Sequence, residues 1–278
     1  MENKQYIGFI DSGFGGSSVL KEAIKLMPNE KFIFYADSIN APYGTRTKED
    51  ILNLTKIMIN RLLDYNLKAL VIACNTISVN CYNDLIKSYP DLKIFETKPA
   101  LYSILSKDLV LKENEYRLSF DNKPKLEIKS NKKSILIIAT EATINSPFLK
   151  KEINTYGNYF DITKKATGKF VHFVEQMKID TKECEDYAKS ILDKHYDYIV
   201  LGCTHFPFVK PVLEKLTSSN TTFIDNGKLT ANNCFEYLKT NNLLNNDKFE
   251  LKIIDTNIND KRKAMYKTLL CIDNISFI

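Results

Sequence analysis

Two short stretches of the chain carry a cysteine in the same frame. One is Lys68-Ala-Leu-Val-Ile-Ala-Cys74-Asn75-Thr76, and the other is Tyr198-Ile-Val-Leu-Gly-Cys203-Thr204-His205. Each is an apolar run ending in a small residue, then the cysteine, then two polar residues. A single cysteine in such a place reads as a small hydrophobe capping a buried strand. Two in matching frames point to paired chemistry. A thiolate on one face of a carbon acid can remove a proton, and a thiol on the other face can return one. That inverts a stereocentre without metal or cofactor. The nearby tuners are His205, two positions after Cys203, and Asp11, which ends the first apolar run of the chain. Such groups keep one sulfur protonated and the other ionised. The plainer reading of His205 is a helix-start residue with no chemistry. The chain has only three histidines, and one of them stands here.

The apolar runs must position these thiols. Runs this short and rich in Val, Ile and Leu predict buried strands of a parallel sheet. The cysteines then fall where a strand ends and the chain turns into a helix. In open α/β sheets that edge is where ligands bind, and the positive end of a helix favours thiolate over thiol. Further strands are predicted over 6–10, 31–36, 92–95, 134–139, 159–162, 222–225 and 249–254. Helical periodicity marks 48–65, 78–88, 170–177, 181–195, 206–216 and 230–240. Ser17 or Ser18 is a suitable N-cap for a helix that follows the glycine loop and runs to about Met27. Asp11 precedes Cys74 by 63 positions, and Thr140 precedes Cys203 by the same 63. Both halves run strand, polar loop, helix, strand, loop, helix, strand, cysteine. The expected fold is therefore α/β, with two pseudo-symmetric domains, each a mostly parallel sheet flanked by helices, and a site in the cleft between them. Residues 1–97 with 210–278 are expected to form the first domain, and 98–209 the second. On that reading the strand at 222–225 completes the first sheet. Within the second, 106–133 alternates apolar and polar residues about a turn and predicts an inserted hairpin.

Composition narrows the function classes. The net charge of +5 is mild and spread along the chain, so a nucleic-acid partner is not expected. No apolar stretch approaches the roughly 20 residues of a membrane helix, and the start shows no secretory pattern. The six cysteines are scattered with no C-x-x-C pair. That argues against a zinc site or a disulfide framework and for reduced thiols in a cytoplasm. Four of the nine glycines lie between residues 8 and 16. The loop Asp11-Ser-Gly-Phe-Gly-Gly16 lacks the spacing of a dinucleotide fingerprint, so no nucleotide cofactor is expected.

Four motifs in order carry a resemblance: Ile-Gly-Phe-Ile-Asp11-Ser12-Gly-Phe-Gly-Gly, Pro42-Tyr43-Gly44, Ala-Cys74-Asn75-Thr76 and Gly-Cys203-Thr204-His205-Phe-Pro. Together they resemble the motifs of glutamate racemase, in the cofactor-independent aspartate/glutamate racemase superfamily, over most of the chain except about 106–133. The resemblance implies two α/β domains with the site between them. It also implies interconversion of L- and D-glutamate by two cysteine bases, and D-glutamate supply for peptidoglycan. Carried over by position, Cys74 and Cys203 are the bases, and Asp11 and His205 assist. Glu175 in Phe-Val-His-Phe-Val-Glu matches an assisting acid, against a plainer reading as a solvated helix face. Ser12, Pro42, Tyr43, Gly44, Asn75, Thr76, Thr140, Thr143 and Thr204 match positions that hold the amino acid. No metal or cofactor is implied, and a homodimer is compatible with the family. The second half departs from the pattern at Ala139, at Thr167-Gly168, at Lys98 before Pro99, and at Asn226. These departures bear on the pocket wall and on substrate choice. The rival readings are an aspartate or other amino-acid racemase, a non-catalytic acidic-amino-acid-binding relative, and a thiol hydrolase, which would need only one cysteine with a histidine.

Overall fold

Alternating apolar strands and amphipathic helices build two parallel sheets in the computed structural model, which describes residues 6–99, 101, 104, 132–245 and 248–278. The strands are β1 (Tyr6–Asp11), β2 (Lys31–Ala36), β3 (Leu67–Ile72), β4 (Ile94–Glu96), β5 (Lys133–Ala139), β6 (Phe160–Ala166), β7 (Tyr198–Gly202), β8 (Thr222–Ile224), β9 (Glu250–Asp255) and β10 (Ser276–Phe277). The helices are α1 (Ser17–Leu26), α2 (Lys48–Leu63), α3 (Asn75–Ser88), α4 (Glu141–Ile144), α5 (Pro147–Tyr156), α6 (Lys169–Glu175), α7 (Lys182–Ile191), α8 (Phe206–Leu216), α9 (Gly227–Thr240) and α10 (Asp260–Leu270). The first sheet has the order β10-β9-β2-β1-β3-β4 and the second β6-β5-β7-β8. The central strands β1, β3 and β7 are buried at every position. Helices cover both faces of a parallel sheet, so its inner strands read as continuous apolar runs.

The halves correspond strand for strand. The order β2-β1-β3-β4 in the first sheet is repeated as β6-β5-β7-β8 in the second. This corrects the expected path of the chain after residue 209. β8 pairs with β7, with Ile199 opposite Phe223 and Val200 opposite Ile224, so these residues share a sheet with Ile135 to Ile138. The strand at 222–224 is the counterpart of β4 and finishes the second sheet, not the first. α8 packs on α6 and α7 of the second unit, and α9 and α10 return to pack on α1. The first sheet is extended on its other edge, where β9 joins β2 and β10 joins β9. The hairpin expected over 106–133 lies outside the described residues as far as 131, and Lys133 already belongs to β5.

Three helix starts differ from expectation, the simplest being α9, which begins at Gly227, three residues before the expected 230. The N-cap of α1 is Gly16, not Ser17 or Ser18. Ser17 Oγ instead donates to the Phe14 carbonyl at 2.6 Å, and Ser18 Oγ donates to the Thr204 carbonyl across the cleft at 3.0 Å. α3 begins at Asn75, three residues earlier than its periodicity predicts, and so Cys74 is its N-cap. A buried ion pair anchors the opposite end of β3. Lys68 Nζ lies 2.5 Å from Glu30 Oε2 and 2.8 Å from the Leu243 carbonyl. Removing one partner of such a pair costs about 3–5 kcal/mol, because the other charge is left buried. Among the described residues no helix is long and apolar enough to cross a membrane.

Candidate active site

The carboxyl ends of β1, β3 and β7 bring the sequence-predicted residues together. β1 and β3 are adjacent, so Asp11 and the start of the glycine loop lie beside Cys74. Ser12 Oγ is 3.6 Å from Cys74 Sγ. Asp11 is fully buried, and its carboxylate accepts from the Gly13 N–H at 2.8 Å and from Thr204 Oγ1 at 3.0 Å. That second bond reaches across the cleft to the residue after Cys203. Burial raises the Asp11 carboxyl to about 6, against the opposing pull of His205, the Gly13 N–H and Thr204. Burial also pushes the Cys74 thiol well up, and the nearby Asp11 charge adds to the rise. The helix end at Cys74 favours thiolate, but desolvation of the sulfur outweighs it here. This reverses the depression expected from the strand-to-helix junction alone.

The Cys203 side is built differently. Cys203 Sγ lies 3.7 Å from His205 Nδ1, and the Nε2 of the same ring lies 2.6 Å from Glu175 Oε1. Glu175 ends α6, where its carboxylate also accepts from the Phe14 N–H at 2.9 Å. It is therefore not on a solvated helix face. Burial disfavours the imidazolium, but bonds to Cys203 and Glu175 outweigh it and hold the His205 pKa well above that of a free imidazole. Glu175 shows the converse balance. Burial raises it, yet His205 and then Arg262 pull it down to about 2. The thiol, imidazole and carboxylate thus form one line from Cys203 into the protein.

Glycine makes that line possible at one point. A Cβ on Gly15 would overlap the His205 ring at Nδ1, Cε1 and Cγ. The loop of β1 can lie against this ring only without a side chain there.

Threonines and the Tyr43 turn close the remaining wall. Thr76 Oγ1, in the first turn of α3, is 2.9 Å from Thr140 Oγ1 of the other half, and Thr140 donates to Thr143 Oγ1 at 3.1 Å. Gly44 packs its backbone on Thr140, where a Cβ would overlap the threonine side chain. Tyr43 is buried and donates to Asp37 Oδ2 at 2.6 Å. Pro42 immediately precedes the short turn that holds Tyr43 and Gly44. Asn75 opens α3 beside Cys74 and is buried. Cys74 and Cys203 are 5% and 7% exposed, so both thiols belong to buried residues.

Three residues that join this network had not been singled out from the sequence. Arg262, in the first turn of α10, donates from Nη1 to Glu175 Oε2 at 2.7 Å and from Nε to Asp255 Oδ2 at 2.9 Å. Its Nη2 donates to Ser38 Oγ at 2.6 Å. Asp255 ends β9 at the same sheet edge where Asp11 ends β1. Arg262 sits in a charged run, Asp260-Lys-Arg262-Lys263, and nothing in the sequence sets it apart.

The departures in the second half have local explanations. Asn226 Nδ2 donates to the Lys98 carbonyl at 2.9 Å, so these two positions meet where the chain passes between units. Thr167 is buried, and its N–H donates to the Ala139 carbonyl at 2.8 Å. Among the described residues no group of three or more His, Cys, Asp or Glu side chains is arranged to hold a metal ion.

A scan against models of protein families gives no match. The glutamate racemase of Clostridium botulinum (strain Alaska E43) is 37% identical over 272 residues, covering 95% of this chain and 96% of that protein. The glutamate racemase of Clostridium novyi (strain NT) is 37% identical over 226 residues, 80% of this chain and 79% of its own. Among solved structures, glutamate racemase from Francisella tularensis in complex with D-glutamate superposes with a TM-score of 0.78 at 25% identity, over 99% of this chain and 98% of that one. Glutamate racemase from Campylobacter jejuni superposes with a TM-score of 0.76 at 26% identity, over 97% and 100%. At this identity over nearly its whole length, the chain belongs to the glutamate racemase family, enzymes of the isomerase class.

Proposed function

We propose that the chain interconverts L- and D-glutamate by two-base proton transfer at Cys74 and Cys203, and so supplies D-glutamate for peptidoglycan synthesis in the cytoplasm. The observation that carries this reading is the pair of buried thiols at the ends of β3 and β7, equivalent strands of two sheets with the same strand order. The thiolate of one cysteine takes the α-proton. The electron pair left on carbon delocalises into the substrate carboxyl group, and the thiol of the other cysteine protonates the opposite face. After turnover the two sulfurs have exchanged protonation states. Asp11 and His205 return the protons, and Glu175 holds His205. Ser12, Asn75, Thr76, Thr140, Thr143 and Thr204 supply hydroxyl and amide partners for the amino acid, and the Pro42-Tyr43-Gly44 turn closes over it. The chemistry is assigned to side chains alone, with no metal or cofactor, and a homodimer is the assembly proposed for it.

The test is incubation of the pure protein in D₂O with L-glutamate and, separately, L-aspartate, with and without a chelator. Loss of the α-proton with formation of deuterated D-glutamate, unaffected by chelator, is the expected result. Turnover of aspartate alone would assign the site to another substrate. Binding without exchange would make the protein a non-catalytic relative.

A further inference from the structure

We infer that Arg262 is a positioning residue for the proton transfer, fixing the Glu175 carboxylate so that it is shared between the guanidinium and the His205 ring. This rests on the reading of His205 as the partner of Cys203 given above. The two Glu175 oxygens are divided. Oε1 faces His205 Nε2 at 2.6 Å and the Phe14 N–H at 2.9 Å, and Oε2 faces Arg262 Nη1 at 2.7 Å. Arg262 cannot follow Glu175, because it is anchored elsewhere. Its Nε and Nη2 both reach Asp255 Oδ2, at 2.9 and 2.8 Å, and Nη2 also reaches Ser38 Oγ. Asp255 is itself held, by Tyr266 Oη at 2.7 Å and by the Asn257 N–H at 3.0 Å. A planar guanidinium with its donors committed in this way sets where the carboxylate must lie. Arg262 belongs to the first sheet unit and Glu175 to the second, so the contact also spans the cleft. A cavity of about 490 Å³ opens beside the pair, lined in part by Met177, Lys178, Asn257 and Lys261.

The arrangement has an electrostatic consequence. The titratable groups facing His205 are Cys203 from its own loop, Glu175 from α6 and Asp11 from β1. Cys74 lies beyond Asp11, and Arg262, Asp255 and Tyr266 lie behind Glu175. These side chains are nearly excluded from water, so their charges are weakly screened. Without the Arg262 cation, Glu175 and Asp255 are left as anions with His205 as their nearest cation, which favours imidazolium. Without the Asp255 anion, the guanidinium binds Glu175 more fully and less of that carboxylate serves His205. The two changes must move His205 in opposite directions.

The experiment titrates the three histidines by ¹⁵N NMR in the wild type, Arg262→Met and Asp255→Asn, and records kcat against pH with L- and D-glutamate. We expect the His205 resonance to titrate about one pH unit higher in Arg262→Met and lower in Asp255→Asn. The alkaline limb of kcat should follow, with kcat reduced about tenfold or more in Arg262→Met and partly restored in Arg262→Lys. A merely structural role would lower activity without opposed shifts. Shifts in the same direction, or none, overturn the inference. If Arg262→Met does not fold, an unmoved His205 in Asp255→Asn overturns it alone. Opposed shifts in the two variants, with a wild-type protein that does not racemise glutamate, would keep the positioning role and sink the proposed function.

Discussion

At the end of β3, Cys74 is the N-cap of α3 and its sulfur meets a serine hydroxyl. At the end of β7, Cys203 stands three residues before α8 and its sulfur meets an imidazole. The backbone frame is shared, and the neighbours are not. Asp11 makes the Cys74 side anionic, and burial keeps that sulfur a thiol. His205, backed by Glu175 and Arg262, puts a cation beside Cys203. Repetition of a βαβ frame thus fixes where the sulfurs sit, and the loops that differ between the halves fix what each can do. A racemase has to run in both directions, so such asymmetry is useful only if the groups behind each thiol can exchange protons with it.

The comparison breaks most severely if either thiol is removed. Cys74→Ala and Cys203→Ala should each lower racemisation by about a thousandfold or more, since a positioned acid or base contributes about 10²- to 10⁴-fold. Each variant should still exchange the α-proton of one enantiomer into D₂O, and the enantiomer should differ between the two. Near-normal turnover in either would end the two-base account. Gly15→Ala tests the Cys203 side without touching a titrating group. Its Cβ overlaps the His205 ring, and displacing a catalytic group by about 1 Å can cost on the order of a hundredfold. A crystal structure of the variant with the ring unmoved and activity unimpaired would refute the tight fit. Asp11→Asn should have the smallest effect, about tenfold in kcat near neutrality. It should also erase an acid limb near pH 6, where the buried Asp11 carboxyl loses its proton.

The acids on the two sides should also mark stability in opposite senses. Asp11 is raised on folding, so its contribution is fully present at low pH and declines as pH rises through about 6. Glu175 is lowered, so its contribution is present above the ordinary carboxylate range and is lost as pH falls towards about 2. Urea midpoints measured from pH 3 to 8 should show Asp11→Asn gaining on wild type as pH rises through about 6, and Glu175→Gln falling behind wild type as pH rises through the ordinary carboxylate range. Parallel curves would mean neither carboxyl is perturbed as the geometry implies.

Most of the strands and the thiol frames were legible because a buried parallel strand leaves a continuous apolar run, and because the 63-residue interval recurs. The same repeat contained the place of β8. Once β4 flanks β3, its counterpart must flank β7, whereas the apolar run at 222–224 taken alone carries no sign of which sheet it completes. The early start of α3 was hidden by Asn75 and Thr76, whose polarity reads as loop until they are seen at a helix N-terminus. The Arg262–Asp255 pair was not legible for another reason. It joins Glu175 from 87 positions further along the chain, and its members look like ordinary surface charge until β9 is placed beside β2. Glu175 was reached in sequence through the resemblance alone, since a helix-end carboxylate shows no sign there of the ring it meets.

The bond from Asn226 to the Lys98 carbonyl has a mechanical meaning. The chain passes from the first sheet unit to the second after β4 and returns after β8, and these two passages are fastened to each other. Thr97 Oγ1 and Thr230 Oγ1, 3.1 Å apart, add a second stitch next to it. These bonds resist sliding of one passage past the other, so the register of the two sheet units is held at the crossing as well as at the Thr76–Thr140 and Thr204–Asp11 contacts across the cleft. On the proposed two-base reading, a register fixed at this crossing keeps Cys74 and Cys203 in the same relation to a bound amino acid from one turnover to the next.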